Sequence, residues 1–76
     1  MKAGREALRR GGLYPCLVNG ANEKAVELFL DGRIKFTDIG EVVTGVLELT
    51  VCGELTIDNI LATDKIAKEY VEKKFK

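Results

Sequence analysis

The chain has 76 residues and a mass of 8.4 kDa, which is one domain at most. Lys+Arg and Asp+Glu are 12 each, and there is no His, Trp, Ser or Gln. That composition excludes a Ser-His or Cys-His nucleophile pair, a His-ligated metal site and a carrier domain that needs a serine to hold a prosthetic arm. A chain of this size buries only about 60% of its unfolded surface, so it supports one small core and no deep cleft between domains.

Residues 2–10 carry helix formers, with Ala3, Ala7 and Leu8 as a weak apolar edge and Gly11-Gly12 as a stop signal. They predict a short or frayed first helix. Leu13 to Val18 then reads as an apolar connector tucked against the core. Pro15 biases Tyr14 to extended geometry and argues against a helix through it. Asn19 is a candidate N-cap for the second helix, and Glu23 falls in its first turn, against the positive end of the helix. Ala21, Ala25, Leu28 and Phe29 line one face, with Val26 and Leu30 beside them. Asp31-Gly32 ends the helix, Gly32 at the left-handed position after the cap.

A third helix is predicted from Thr37-Asp38-Ile39-Gly40-Glu41, where Asp38 and Glu41 resemble a capping box and Thr37 is the alternative cap. Phe36, just before the cap, is placed to staple onto the first turn. Ile39, Val42, Val43, Val46 and Leu47 follow helical spacing. The stretch 42–50 is ambiguous: Leu47, Leu49 and Val51 alternate with Glu48, Thr50 and Cys52 as in a strand, and Gly45 weakens a helix interior by about 1 kcal/mol. The capping signal favours helix, and Gly45 then reads as a close-packing point between helices. Cys52 to Leu55 is a turn. Thr56 caps the last helix, with Ile57, Ile60, Leu61, Ala67, Tyr70, Val71 and Phe75 tracing its apolar face. Asp64 breaks that stripe, and Thr63-Asp64 reads as a second cap, so the segment is either one bent helix or a short turn followed by a longer one. The sum is an all-α domain over 1–76, a small three-to-four-helix up-and-down bundle.

The remaining signals are bland. Zero net charge gives no footprint for nucleic acid. Arg9-Arg10 is short, and Lys73, Lys74 and Lys76 suit a helix C-terminus. No apolar run is long enough to span a bilayer, and the N-terminus lacks the apolar core of a secretory signal. Cys16 and Cys52 read as reduced, buried thiols of a cytoplasmic protein. Two cysteines cannot fill a zinc site. Asp38, Glu41, Asp58 and Asp64 read as capping carboxylates, and the aromatic residues as core or interface groups.

The run from Pro15 to Leu30, PCLVNGANEKAVELFL, followed by Asp31-Gly32-Arg33-Ile34-Lys35-Phe36-Thr37-Asp38-Ile39, resembles the C-terminal domain of 1-deoxy-D-xylulose 5-phosphate reductoisomerase. That family carries a P-x-x-[LV]-N-[AG]-A-N-E-x-A-V-x-x-F-L pattern and then [ILV]-x-F-x-D-I. The likeness continues through Val46-Leu47-Glu48 and Leu55 to Leu61, and ends on Asp64 and Ala67 to Tyr70, where the family usually has Ala-Arg in place of Ala67-Lys68. It covers essentially the whole chain. The resemblance implies a helical domain cut from a longer enzyme that makes methylerythritol phosphate for non-mevalonate isoprenoid synthesis, with NADPH and Mg²⁺ or Mn²⁺ held by domains absent here. It implies no catalytic, cofactor-binding or metal residue in these 76. Its partner would be the catalytic domain of the same chain, and a homodimer stays open. An excised domain would also expose its docking face, and a large apolar patch invites self-association.

Asn19, Asn22 and Glu23 are the most distinctive polar residues. One reading makes them caps and a buried hydrogen-bond network that anchors the preceding loop. The other makes them contacts to the catalytic domain. The rival to the whole reading is a stand-alone helical module that binds a protein partner through its helix faces.

Overall fold

A computed structural model describes Arg5, residues 9–49, Val51 and residues 53–75. Its elements are helix α1 (Tyr14–Leu30), helix α2 (Phe36–Gly45), a single 3₁₀ turn (Val46–Glu48) and helix α3 (Ile57–Lys74). Arg5, Arg9 and Arg10 are also helical. The expected edge at Ala3, Ala7 and Leu8 lies outside the described residues, as do Thr50, Cys52 and Lys76.

α1 begins six residues earlier than the sequence suggests, capped at Leu13 instead of Asn19. Pro15 sits in its first turn, where the missing N–H would have had no partner within the helix. Leu13 occupies the cap position, and the Leu17 N–H donates to the Leu13 carbonyl at 3.0 Å. The apolar segment 13–18 is therefore helix rather than connector. It does reach the core, because Leu13, Leu17 and Val18 are buried. Asn19 is inside the helix and caps nothing.

The other end matches expectation. Arg33 N–H donates to Leu28 O and Gly32 N–H to Phe29 O, each at 2.9 Å. That pair of bonds is a Schellman motif, and it needs Gly32 at φ +73°. The turn reverses the chain, and Ile34 drops into the core.

α2 also starts early. Lys35 is extended and its N–H donates to Asp38 Oδ2 at 2.9 Å, so Asp38 serves from the third helical position instead of capping. Phe36 does not staple onto its own helix: it is exposed and meets Phe29 edge to face, with ring centroids 5.8 Å apart.

The strand alternative fails at Val42 and Val43. Both are fully buried together with Val46. Adjacent strand residues point to opposite faces, whereas helical spacing brings these three to one core. The helix tightens at Val46–Glu48, and Leu49 is extended.

α3 is one continuous helix. Thr56 Oγ1 accepts the Asn59 N–H at 3.2 Å, as expected of a cap. No second start occurs at Thr63-Asp64. Thr63 is buried, and its hydroxyl donates to the Asn59 carbonyl one turn back at 2.7 Å, which satisfies it without breaking the helix.

The three helices form an up-down-up bundle centred on α1, which packs most extensively on α3 and then on α2. α1 and α3 run in the same direction, since Gly20 lies against Asp64 and Ala67 while Lys24 reaches Glu72. Their closeness is set by small residues. A Cβ on Gly20 would fall 3.1 Å from Ala67 Cβ and 2.7 Å from Asp64 Oδ1. The end of α2 meets α3 in the same way: a Cβ on Gly45 would lie 2.7 Å from the Tyr70 hydroxyl, the close-packing role expected of that glycine.

The core combines Leu17, Val18, Ala21, Ala25 and Leu28 with Ile39, Val42, Val43 and Val46 and with Ala67 and Val71. Of the predicted face of α1, Phe29 is at the edge of this core, and Val26 and Leu30, expected beside that face, are exposed, Leu30 to 76%, because the true stripe on α1 steps through 17, 21, 25 and 28.

Candidate interdomain face

α1 positions all three polar candidates, and α3 supplies the lysine that meets Glu23. Asn19 and Glu23 are one turn apart and exposed, and Asn22 is half-buried between them. The Asn19 amide donates to Glu23 Oε1 at 3.1 Å. Glu23 Oε2 lies 3.6 Å from Lys68 Nζ, which also pairs with Asp64 Oδ2 at 2.9 Å. The line Asn19–Glu23–Lys68–Asp64 thus crosses from α1 to α3. It is a surface network that ties two helices together, not a buried one that anchors a loop.

A second bridge repeats the arrangement further along. Lys24 Nζ is 3.2 Å from Glu72 and 3.6 Å from Glu27. Both lysines are held above their usual pKa of 10.5. For Lys24 the main cause is the hydrogen bond to Glu72, and for Lys68 the bond to Asp64, each partly opposed by desolvation. Exposed pairs of this kind contribute little stability; of them, Lys68–Glu23 and Lys24–Glu72 bridge α1 and α3.

Beside the network is a groove of about 340 Å³, lined by Pro15, Cys16, Asn19, Ile60, Leu61 and Asp64. Cys16, expected to be a buried thiol, is only half-buried and unpaired by any disulfide. Ile57 and Leu61, which the apolar stripe placed in the core, are 76% and 63% exposed. Sequence reasoning assigned these residues to packing. The available signal was their place at the start of α3, beyond the reach of a ten-residue α2.

The acids do local work. Asp38 holds the start of α2, and Asp64 pairs with Lys68. Among the described residues no group of three or more Cys, Asp or Glu is arranged to hold a metal ion. No strand followed by a glycine turn is present among them to cradle a dinucleotide. No helix of the described residues is long and apolar enough to cross a membrane.

The described residues form a compact all-α unit, a small helical domain with an exposed network and a groove on one face. Comparison with known proteins gives the family. The DXP reductoisomerase C-terminal domain model matches residues 1–70. The 1-deoxy-D-xylulose 5-phosphate reductoisomerase of Clostridium botulinum (strain Hall) is 40% identical over 76 residues, which is 99% of this chain and 20% of that relative. The enzyme of the same name from Cupriavidus metallidurans is 50% identical over 64 residues, 83% of this chain and 16% of the relative. The chain belongs to the DXP reductoisomerase C-terminal domain family, and it spans about a fifth of the length of the curated relatives it matches.

Proposed function

We propose that this chain is the non-catalytic helical arm of a 1-deoxy-D-xylulose 5-phosphate reductoisomerase, serving isoprenoid synthesis in the cytoplasm by packing on the catalytic part of the enzyme. The observation that carries this reading is the family match, which runs through nearly the whole chain while the chain covers a fifth or less of each reductoisomerase relative. The chemistry fits the same division. NADPH and a divalent metal ion would be held by the remainder of such an enzyme, because the residues described here offer neither a phosphate cradle nor a converging acid set. In this reading Asn19, Asn22 and Glu23 contact the catalytic part, with Glu23 paired to Lys68 of α3 and Asn19 bonded to Glu23.

The test replaces the matched region of the Clostridium botulinum enzyme with this chain. The purified 76 residues alone are expected to give no NADPH oxidation with deoxyxylulose phosphate and Mg²⁺, and the chimera is expected to turn over. Turnover by the isolated chain, or a chimera that neither folds nor works, overturns the proposal.

A further inference from the structure

Resting on that reading, we propose that the groove between the first turns of α1 and the N-terminal half of α3 seats an apolar side chain from the rest of the reductoisomerase polypeptide, packed between Cys16 and Leu61. Ile57 and Leu61 stand one helical turn apart on the same side of α3, both largely exposed. Leu61 and Ile60 line the groove with Pro15 and Cys16, and Asn19 and Asp64 supply a polar border. A concave apolar floor edged by polar groups is the usual form of an interface centre. Gly20 brings α1 against α3 beside the groove, and Asp64 on its border is paired with Lys68.

The occupant follows from the relatives. About four-fifths of the Clostridium botulinum enzyme lies outside the region this chain matches, and that polypeptide is tethered to the matched region. Tethering gives it a far higher effective concentration at the groove than any free partner has. The second exposed apolar group, Phe29, Leu30 and Phe36, is a weaker candidate because its two rings already pack on each other.

Cys16 gives a direct footprint. Iodoacetamide labelling, read by peptide mass spectrometry, is compared between the free chain and the chimera described above. Coverage should slow Cys16 labelling by about tenfold or more in the chimera, since a covered thiol reacts only through local opening. An active chimera whose Cys16 labels as fast as in the free chain overturns this proposal and leaves the enzyme-arm reading standing. An inactive or unfolded chimera overturns that earlier reading, and this one with it. Slow labelling in the free chain, with dimers in sedimentation, would assign the groove to a second copy and also overturn it. As an independent arm, Leu61→Lys in the chimera should restore Cys16 labelling and lower thermal stability, whereas Leu30→Lys should do neither. The reverse pattern assigns the docking face to the Phe29–Phe36 side.

Discussion

The two halves of α3 carry similar apolar side chains and meet different fates. From Thr63 to Val71 one face of the helix is enclosed: Thr63, Ala67 and Val71 are buried and Tyr70 closes over Gly45, while Ile66 on the other side is exposed. From Ile57 to Leu61 the apolar side chains stay accessible: Ile57 and Leu61 are exposed and Ile60 is half-buried. Hydrophobicity does not separate the halves. α3 has 18 residues and α2 has 10, so α1 and the end of α2 together cover the later half, while only the first turns of α1 lie against the earlier one. The difference teaches that an amphipathic stripe states what can be buried, and that the length of neighbouring elements determines how much is.

The largest effect should come from the enclosed side. Leu17, with no exposed surface, should cost about 2–5 kcal/mol when truncated to alanine, read by urea unfolding of the isolated chain. An effect as small as that of a surface change would mean that the core is not packed as described.

Next is a contrast between two glycines of α2. Gly40 has open space around it, so Gly40→Ala should stabilise by up to about 1 kcal/mol through helix propensity. Gly45→Ala should destabilise by about 1–3 kcal/mol through overpacking against Tyr70. Removing the obstructing hydroxyl in the double variant Gly45→Ala/Tyr70→Phe should recover most of the loss. Thermal denaturation of the four proteins settles whether this contact sets the spacing.

On the open side, Ile57→Lys and Leu61→Lys should each change the stability of the isolated chain by no more than about 0.5 kcal/mol. A loss comparable to that of Leu17→Ala would show that the two halves are equally enclosed.

The smallest effect concerns the lysine bridges. Lys24 and Lys68 have raised pKa values when folded, so the folded state binds their protons more tightly than the unfolded chain does. Their contribution is complete below about pH 10 and is lost as pH rises through and beyond 10.5. A urea midpoint that falls above pH 10, with a smaller fall in Lys68→Met, is the expected result. A midpoint unchanged to pH 11 would remove these pairs from any stabilising role.

Much of the fold was legible in advance. The Gly32 terminus, the Thr56 cap, the core valines of α2 and the close approach at Gly45 all follow from local chemistry, because a cap or a left-handed residue depends on its immediate neighbours. The errors arose where local rules leave a choice. Pro15 is compatible with a helix start as well as with a connector, and tertiary burial of Leu13 and Leu17 favoured the start. The candidate face was half legible. Asn19, Asn22 and Glu23 stood out as polar residues in an apolar run, but local rules left caps with a buried network and interdomain contacts both open. The partner that makes them a seam, Lys68, lies 45 positions beyond Glu23, a distance no periodicity bridges.

The sequence by itself therefore determined the class of fold, the family and the absence of any Ser, His or Trp to do chemistry, since these depend on composition, periodicity and motif. The tertiary structure decided which apolar residues are core and which remain exposed, and which charges meet. Those outcomes depend on the lengths and crossing of separate helices, and a groove between α1 and α3 exists only once both are in place.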